Sequence, residues 1–261
     1  MVNIVKFEYK NNIASLMGWI VFATIISIVY LSVFPSFESS SIDLEKLLSS
    51  YPKEMLSSLN INIEYISKME GYYPMVIGFV QIIAFAFSST ITLKIFCKEY
   101  KNKSVEFILS KPRSRNTFYV AKIIAVILLI ITFYLFVFIL NLIIIRLISN
   151  MSINNYIIEH SSVLIVMMLA SSMTSVIAVI FSKIRGYDGF GFIIAFGFYF
   201  LNIISSIFND GVLAKLSIYG LFDYNNLLIN GYSLKFIIHI ILLTLIFNVI
   251  SNMIYSKKYV L

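Results

Sequence analysis

Six apolar runs constrain this chain more than any other feature of its sequence. They cover residues 13–34, 75–96, 123–145, 163–181, 190–208 and 236–254. A helix of about 20 apolar residues crosses the roughly 30 Å hydrocarbon core of a bilayer, and only intrahelical bonds satisfy its backbone there. The alternating segments of a membrane β-barrel are absent from these continuous runs. We therefore predict an all-α integral membrane protein with six transmembrane helices and short amphipathic interfacial and extracellular helices.

The composition favours one membrane domain. The chain is 59% hydrophobic and 13% charged, whereas soluble domains carry about 25% charged residues. Its single cysteine, Cys97, excludes an internal disulfide, and its two histidines are too few for the usual metal-ligand cluster. We predict a single transmembrane domain over residues 1–261, with no bound metal and no nucleic-acid partner.

The distribution of lysine and arginine predicts the orientation. Most of the 20 basic residues lie on the inner side when both termini are cytoplasmic, as the positive-inside rule requires. The loop 97–116 is then cytoplasmic, and residues 35–74 and 209–235 form outer excursions. Leu44, Leu47 and Leu48 recur at helical spacing in the first excursion, which predicts short amphipathic helices there. The heavy use of Ile, Asn and Lys indicates a bacterial source, and so a bacterial cell membrane.

The sequence carries no energy source of its own. It lacks the Gly-x-x-x-x-Gly-Lys-Ser/Thr phosphate loop of nucleotide hydrolases. The glycine cluster at 186–191 lacks the lysine and is expected to form a tight cytoplasmic turn. No acid or base is expected near the centre of any span, where ionisable side chains mark ion pathways, and His239 is the one ionisable residue expected inside a span. We therefore expect no catalytic residue in this chain and an energy source in a partner.

Polar residues inside the predicted spans have two interpretations. They are Gln81, Asn141, Ser171, Ser175, Asn202 and His239. They either line a pathway or form interhelical hydrogen bonds and close helix contacts. As an alternative function, Ser171, Ser172 or Ser175 would act with His239 in an intramembrane serine hydrolase, although the glycines that flank the nucleophile in rhomboid-type proteases are missing.

The loop between the second and third runs predicts a contact with a cytosolic protein. Val105, Ile108 and Leu109 share one face of a short helix, Phe107 points elsewhere, and Pro112 ends the helix. A helix seated in a partner's groove explains this pattern. The basic residues that follow form a collar that sets the topology and attracts anionic lipid; they are Lys111, Arg113, Arg115 and Lys122. A membrane scaffold or sensor that binds a cytosolic protein through this loop is the other alternative.

The same loop carries a spaced set of residues that identifies a family. The set is Glu99, Lys103-Ser104, Glu106, Ile108-Leu109, Pro112, Ser114-Arg115 and Lys122. In it the chain resembles the type-2 ATP-binding-cassette (ABC) permeases, the membrane subunits of many bacterial exporters. Their loop has Glu, Gly-Thr, Glu, Leu-Leu, Pro, Ser-Arg and then Lys at matching spacing. The departure is Lys103-Ser104 in place of Gly-Thr. The resemblance extends over the whole chain.

The resemblance implies a function and partners. The chain would be the non-catalytic permease of an ATP-driven exporter, with Lys103–Leu109 as the coupling helix in a cleft of a separate ATPase subunit. Phe7, Glu8 and Lys10 would belong to an interfacial helix beside it. Two ATPase subunits would bind ATP and Mg, leaving no cofactor in this chain, and a second permease copy or a close paralogue would complete a dimer. Spans rich in Phe and Tyr indicate an amphipathic or lipophilic substrate, and the acidic first excursion makes a cationic peptide or antibiotic one candidate.

Overall fold

The protein is described by a computed structural model that covers residues 1–39, 48–52, 56, 61, 66–101, 114–182, 186–208, 213 and 216–257. These residues form helices and turns only. The helices are α1 (Val2–Ser39), α2 (Met69–Lys101), α3 (Arg115–Ile148), α4 (Ile153–Ile180), α5 (Tyr187–Phe208), α6 (Tyr224–Asn230) and α7 (Leu234–Lys257), with a 3-10 turn at Tyr219–Leu221. Six of these helices, all except α6, are long and apolar enough to cross a membrane. The prediction of an all-α membrane protein with six spans is confirmed.

Helix α2 forms the centre of the bundle. Its most apolar stretch is 89% buried, whereas the corresponding stretches of α5 and α7 are only 22% and 11% buried. α2 packs most extensively against α4 and α5 and also contacts α1, while α3 packs on α1 and α7 packs on α4. The outer faces of α1, α5 and α7 therefore contact lipid or another subunit.

A glycine allows α5 to approach α2 closely. A Cβ atom added at Gly191 would lie 2.9 Å from the Thr90 backbone nitrogen and 3.0 Å from the Ala86 carbonyl oxygen, and it would overlap the Thr90 side chain. Small residues permit such contacts between membrane helices. The expected turn at 186–191 is therefore wrong for most of its length, because α5 already begins at Tyr187 and Gly191 serves helix packing.

All six long helices begin before the corresponding apolar runs, and α1 and α4 do so by the largest margins. α1 is continuous from Val2 and has 38 residues, so the predicted interfacial residues Phe7, Glu8 and Lys10 form its first turns rather than a separate helix. α4 starts at Ile153, because Ser152 caps it by accepting the Asn155 N–H at 3.2 Å. The early start brings residues expected in a loop into the fourth spanning helix.

The described part of the excursion before α7 folds back onto the bundle. The Ser217 hydroxyl donates to the Phe198 carbonyl at 3.0 Å, and the Tyr219 hydroxyl donates to the Ala195 carbonyl at 3.4 Å. Asp223 caps α6 through the Asn226 N–H at 3.3 Å. The amphipathic helices predicted in the first excursion lie mostly outside the described residues.

Candidate functional site

The two ends of the bundle differ in charge. The Cys97 thiol lies 3.7 Å from the Ala178 carbonyl oxygen, so α2 and α4 end at the same side. Lys98 at the end of α2, and Arg115 and Lys122 at the start of α3, lie on this side as well. We call it the basic end, and we call the opposite side, where α2 and α4 begin, the distal end.

Lys122 joins three helices at the basic end. Its side chain is fully buried, and its ammonium group contacts the Glu99 carboxylate at 2.7 Å and donates to the Ile95 carbonyl at 3.1 Å. The same nitrogen lies 5.4 Å from the ring centre of Phe96 on α2 and 5.9 Å from that of Tyr255 on α7. Burying an ammonium group is costly unless it is paired and hydrogen-bonded. The expected exposed collar is therefore wrong for Lys122, which is an internal tie between α2, α3 and α7.

A second ion pair fixes the first turns of α1 on α2. The Lys98 ammonium group binds the buried Glu8 carboxylate and lies 5.0 Å from the ring centre of Phe7. Of the three residues predicted for an interfacial helix, Phe7 and Glu8 thus contact α2, and Lys10 is exposed. The start of α1 is held against the end of α2 by charge as well as by packing.

The start of α3 is tied to α7. The Arg115 guanidinium donates to the Ser256 carbonyl at 3.3 Å, and the Tyr119 hydroxyl donates to the Asn248 carbonyl at 2.9 Å. These bonds lie next to the Lys122 tie and use the last turns of α7. The end of α2, which precedes residues 102–113, is therefore held by α1 and α3. The start of α3, which follows these residues, is held by α2 and α7.

The predicted partner-binding residues of this loop lie outside the described residues. They are Lys103, Ser104, Val105, Glu106, Phe107, Ile108, Leu109 and Pro112. The remaining two predicted site residues of the loop, Glu99 and Arg115, flank it, and both take part in the contacts between helices given above. The basic end therefore provides a connected base for the loop, in which α1, α2, α3 and α7 are linked by charged and polar groups.

The polar residues predicted inside the spans are mostly engaged in helix packing. The Gln81 amide donates to the Ser162 hydroxyl at 2.9 Å and to the Tyr224 hydroxyl at 2.8 Å, which joins α2, α4 and α6. Asn141 is buried in α3 close to Tyr73. Asn202 is buried in α5, and its backbone carbonyl accepts hydrogen bonds from the Ser205 and Ser206 hydroxyls.

The serines of α4 and His239 occupy different surroundings. Both serine hydroxyls donate within their own helix: Ser171 to the Met168 carbonyl at 3.0 Å, and Ser175 to the Ser172 carbonyl at 2.7 Å. His239 lies on the exposed face of α7. The two serines thus lie on a buried helix face, where small side chains let neighbouring helices pack closely. This is the packing interpretation.

Sequence reasoning missed two buried ionisable residues near the distal end, Glu159 and His160 of α4. Both are 0% exposed, and the expectation that His239 is the one ionisable residue within a span is therefore wrong. They interrupt the apolar run, so hydropathy places them before the fourth span, whereas α4 begins at Ile153. The missed signal was Ser152, a helix-capping residue followed by residues compatible with a helix.

Aromatic rings surround His160. Its Nδ1 is hydrogen-bonded to the Tyr73 hydroxyl at 2.7 Å. The rings of Tyr134, Phe138 and Tyr156 lie with their centres 5.2–5.5 Å from the imidazole centre. This aromatic cluster joins α2, α3 and α4 in the distal half of the bundle.

The connection from α6 to α7 covers the same region. The Tyr232 hydroxyl donates to the Ile158 carbonyl at 3.0 Å. Burial raises the pKa of Tyr232 to about 12, with smaller contributions from the neighbouring Tyr134 and Glu159. Burial also raises the pKa of Tyr224. Both phenols therefore remain neutral at physiological pH and supply hydroxyl dipoles without charge.

The chain matches the sequence profile of one protein family over residues 2–252, and that family is described as ABC-2 family transporter protein. The matched range includes residues of all six long helices and the whole loop between α2 and α3. Comparison with curated proteins and with solved structures gave no match.

Proposed function

The chain belongs to the ABC-2 family of transporter proteins, and we propose that it is the permease subunit of an ATP-driven exporter. Membership implies a multi-pass membrane subunit that associates with an ABC ATPase. Because the sequence lacks a phosphate-binding loop, ATP and Mg are assigned to the separate ATPase subunit. This chain then contributes the pathway and the surface through which the ATPase acts.

The Lys122 tie is the observation that supports this proposal most strongly. A subunit driven from outside must pass a displacement of its loop to its membrane helices. Lys122 bonds to Glu99 and to the Ile95 carbonyl at the end of α2, while its own backbone belongs to α3. Packed helices shift between discrete arrangements rather than bending continuously. A force on the loop therefore moves α2 and α3 together, and the α1 and α7 contacts extend the movement.

The proposed mechanism combines this linkage with the coupling helix that the family resemblance implies. The segment Lys103–Leu109 is the coupling helix and lies in a cleft of the ATPase, with Phe107 and Leu109 as its apolar contacts. ATP-driven closure of two ATPase subunits pushes this helix, and the connected base at the basic end passes the movement to the bundle. The pathway changes its access from the cytoplasmic to the outer side. Because the sequence lacks a phosphate-binding loop, we assign the entry of force to the loop between α2 and α3.

The orientation and assembly complete the proposal. Both termini and the basic end face the cytoplasm of a bacterial cell, in agreement with the positive-inside rule. A second copy of the chain, or a close paralogue, pairs with it, and the poorly buried faces of α1 and α5 supply apolar surface for that contact. The substrate is amphipathic or lipophilic, since the spans are rich in aromatic and aliphatic side chains.

Reconstitution with the cognate ATPase tests the proposal. Proteoliposomes with permease and ATPase should hydrolyse ATP faster in the presence of a transported substrate, and the substrate should cross the membrane only when ATP is present. Phe107→Asp/Leu109→Asp should abolish both effects. The matched variant Leu147→Asp/Leu234→Asp changes two exposed leucines at the distal end and should retain them. A complex that forms normally but shows no transport-linked ATP turnover with any candidate substrate would contradict the proposal.

A further inference from the structure

Glu159 is a buried carboxyl group without a counter-charge in the described part of the chain. Its exposure is 0%, and neither side-chain oxygen has a hydrogen-bond partner among the described residues. Its electrostatic neighbours are Glu70 and Tyr73 of α2, together with Tyr224 and Tyr232. These two tyrosines belong to residues 224–233, that is α6 and its connection to α7, which we call the covering segment. The one charged group among these neighbours, Glu70, is also acidic.

The other elements packed against this part of α4 supply no cation either, within the described residues. Tyr134 of α3 carries no positive charge. The basic residues at this end are exposed; they are Lys68 before α2, Arg146 of α3, and Lys235 and His239 of α7. An ionised carboxylate in a dry interior costs several kcal/mol unless a cation pairs with it. Glu159 is therefore stable in two states: protonated, or paired with a positive charge that none of the described residues supplies.

The neighbouring aromatic cluster favours the same kind of ligand. The faces of aromatic rings carry negative potential and attract organic cations. Tyr73, Tyr134, Phe138 and Tyr156 lie together around the next residue of α4, His160. An apolar body beside a positive charge matches these rings and the carboxyl group, whereas a hydrated metal ion would find no cluster of ligands among the described residues.

We propose that Glu159 is the recognition site for the positive charge of the exported substrate, an amphipathic organic cation. The substrate's cationic group displaces the proton from the carboxyl group, which becomes a carboxylate paired with that cation, and one proton is released. No other bond changes. The proposal rests on the proposed function, since it assigns a substrate class to the exporter.

Access to Glu159 requires the covering segment to move. The hydroxyl of Tyr224 is held by Gln81 at 2.8 Å and lies 3.0 Å from the Ser162 hydroxyl, and Tyr232 is bonded to the α4 backbone. Tyr224 also packs in the apolar core, and Tyr232 packs against it. Binding at Glu159 therefore requires these contacts to open during the transport cycle.

Cation binding by the full-length permease in lipid nanodiscs tests the site. The probe is tetraphenylphosphonium, measured by equilibrium dialysis against protein-free nanodiscs. Glu159→Gln keeps the shape of the side chain but cannot take a negative charge, and it should weaken binding at least tenfold. The matched control Glu70→Gln removes a nearby acid that is not fully buried and should change the Kd less than twofold. Equal weakening in both variants would contradict a specific role for Glu159.

The pH dependence gives an independent prediction. Because the proton competes with the cation, wild-type affinity should fall as the pH is lowered, and the affinity of Glu159→Gln should not change with pH. Wild-type and Glu159→Gln permeases with equal affinity, or with the same pH dependence, would overturn the proposal.

A third measurement needs no variant. Dicyclohexylcarbodiimide reacts with protonated carboxyl groups in apolar surroundings, and mass spectrometry locates the adduct. Glu159 of the wild-type protein should be labelled, and tetraphenylphosphonium should protect it, whereas the uncharged triphenylphosphine oxide should not. Absence of labelling, or equal protection by the uncharged compound, would overturn the site even if Glu159→Gln failed to fold.

The ATPase partner separates failure of this inference from failure of the proposed function. If wild-type permease binds no ATPase, the exporter proposal fails, whatever the nanodisc result. If the wild-type complex hydrolyses ATP in response to transported substrate but Glu159→Gln binds tetraphenylphosphonium like the wild type, only the assignment of the site is wrong.

Discussion

The pair formed by Lys122 and Glu99 should show a large and asymmetric response to mutation. Glu99→Gln leaves an ammonium group with no exposure to solvent, and removal of one partner of a buried pair costs about 3–5 kcal/mol. Lys122→Met leaves a carboxylate that is 11% exposed and reaches water. Its cost should be lower, about 1.5–3 kcal/mol, the value of hydrogen bonds to a charged group.

The double variant distinguishes pairing from other effects. With both charges removed, Met and Gln leave no unpaired charge, so Lys122→Met/Glu99→Gln should lie within about 2 kcal/mol of the wild type, since apolar replacements of buried pairs are often neutral. The coupling energy of the cycle, which is the sum of the two single costs less the cost of the double variant, should then be at least about 2.5 kcal/mol, in the upper part of the range for residues in contact or above it.

Equilibrium unfolding in mixed micelles, followed by circular dichroism as the fraction of dodecyl sulfate rises, measures these free energies. Lys10→Met is the matched control, because Lys10 is exposed and its loss should change stability by no more than about 0.5 kcal/mol. Single-variant costs that add to within about 0.5 kcal/mol of the double variant would refute the pairing argument. So would a smaller cost for Glu99→Gln than for Lys122→Met.

Three further variants test particular contacts. Gly191→Ala forces α5 away from α2 and should cost about 1–3 kcal/mol in the same dodecyl sulfate unfolding assay. Gly197→Ala, with nothing within 4 Å of the added Cβ, should be neutral or stabilising, and equal effects would contradict the close approach. Tyr224→Phe removes a hydroxyl bonded to Gln81 and should cost about 1 kcal/mol. Limited proteolysis between α6 and α7 should become faster, and an unchanged cleavage rate would show that this bond does not hold the covering segment in place. His239→Ala should retain most substrate-stimulated ATP turnover, because the side chain is exposed; complete loss would favour the serine hydrolase instead.

The number and type of spans could be predicted from the sequence because the bilayer imposes a one-dimensional requirement. A run of about 20 apolar residues must be a helix wherever it crosses. The start of α4 could not be predicted in this way, because Glu159 and His160 interrupt the apolar run and are buried through contacts with other parts of the chain, among them α2 and α3. Hydropathy measures the sequence locally, whereas their burial depends on tertiary packing.

The same limit applies to the basic end. Sequence spacing places Glu99 and Lys122 within one family pattern, but it does not show that they bind each other across α2 and α3 at 2.7 Å. A lysine near a membrane edge is normally assigned to topology and lipid attraction. Its full burial depends on Phe96 and on Tyr255 of the last helix, a contact between distant parts of the chain that no local pattern contains.

Co-purification from the native host tests the central claim most directly. The tagged permease, solubilised in a mild detergent, should bring down a subunit with a phosphate-binding loop, identified by mass spectrometry and by ATP binding. Phe107→Asp/Leu109→Asp should lose that subunit, while the exposed-site control Leu147→Asp/Leu234→Asp should retain it. A permease that purifies alone in all three forms would contradict the account of a membrane subunit driven through its loop by a separate ATPase.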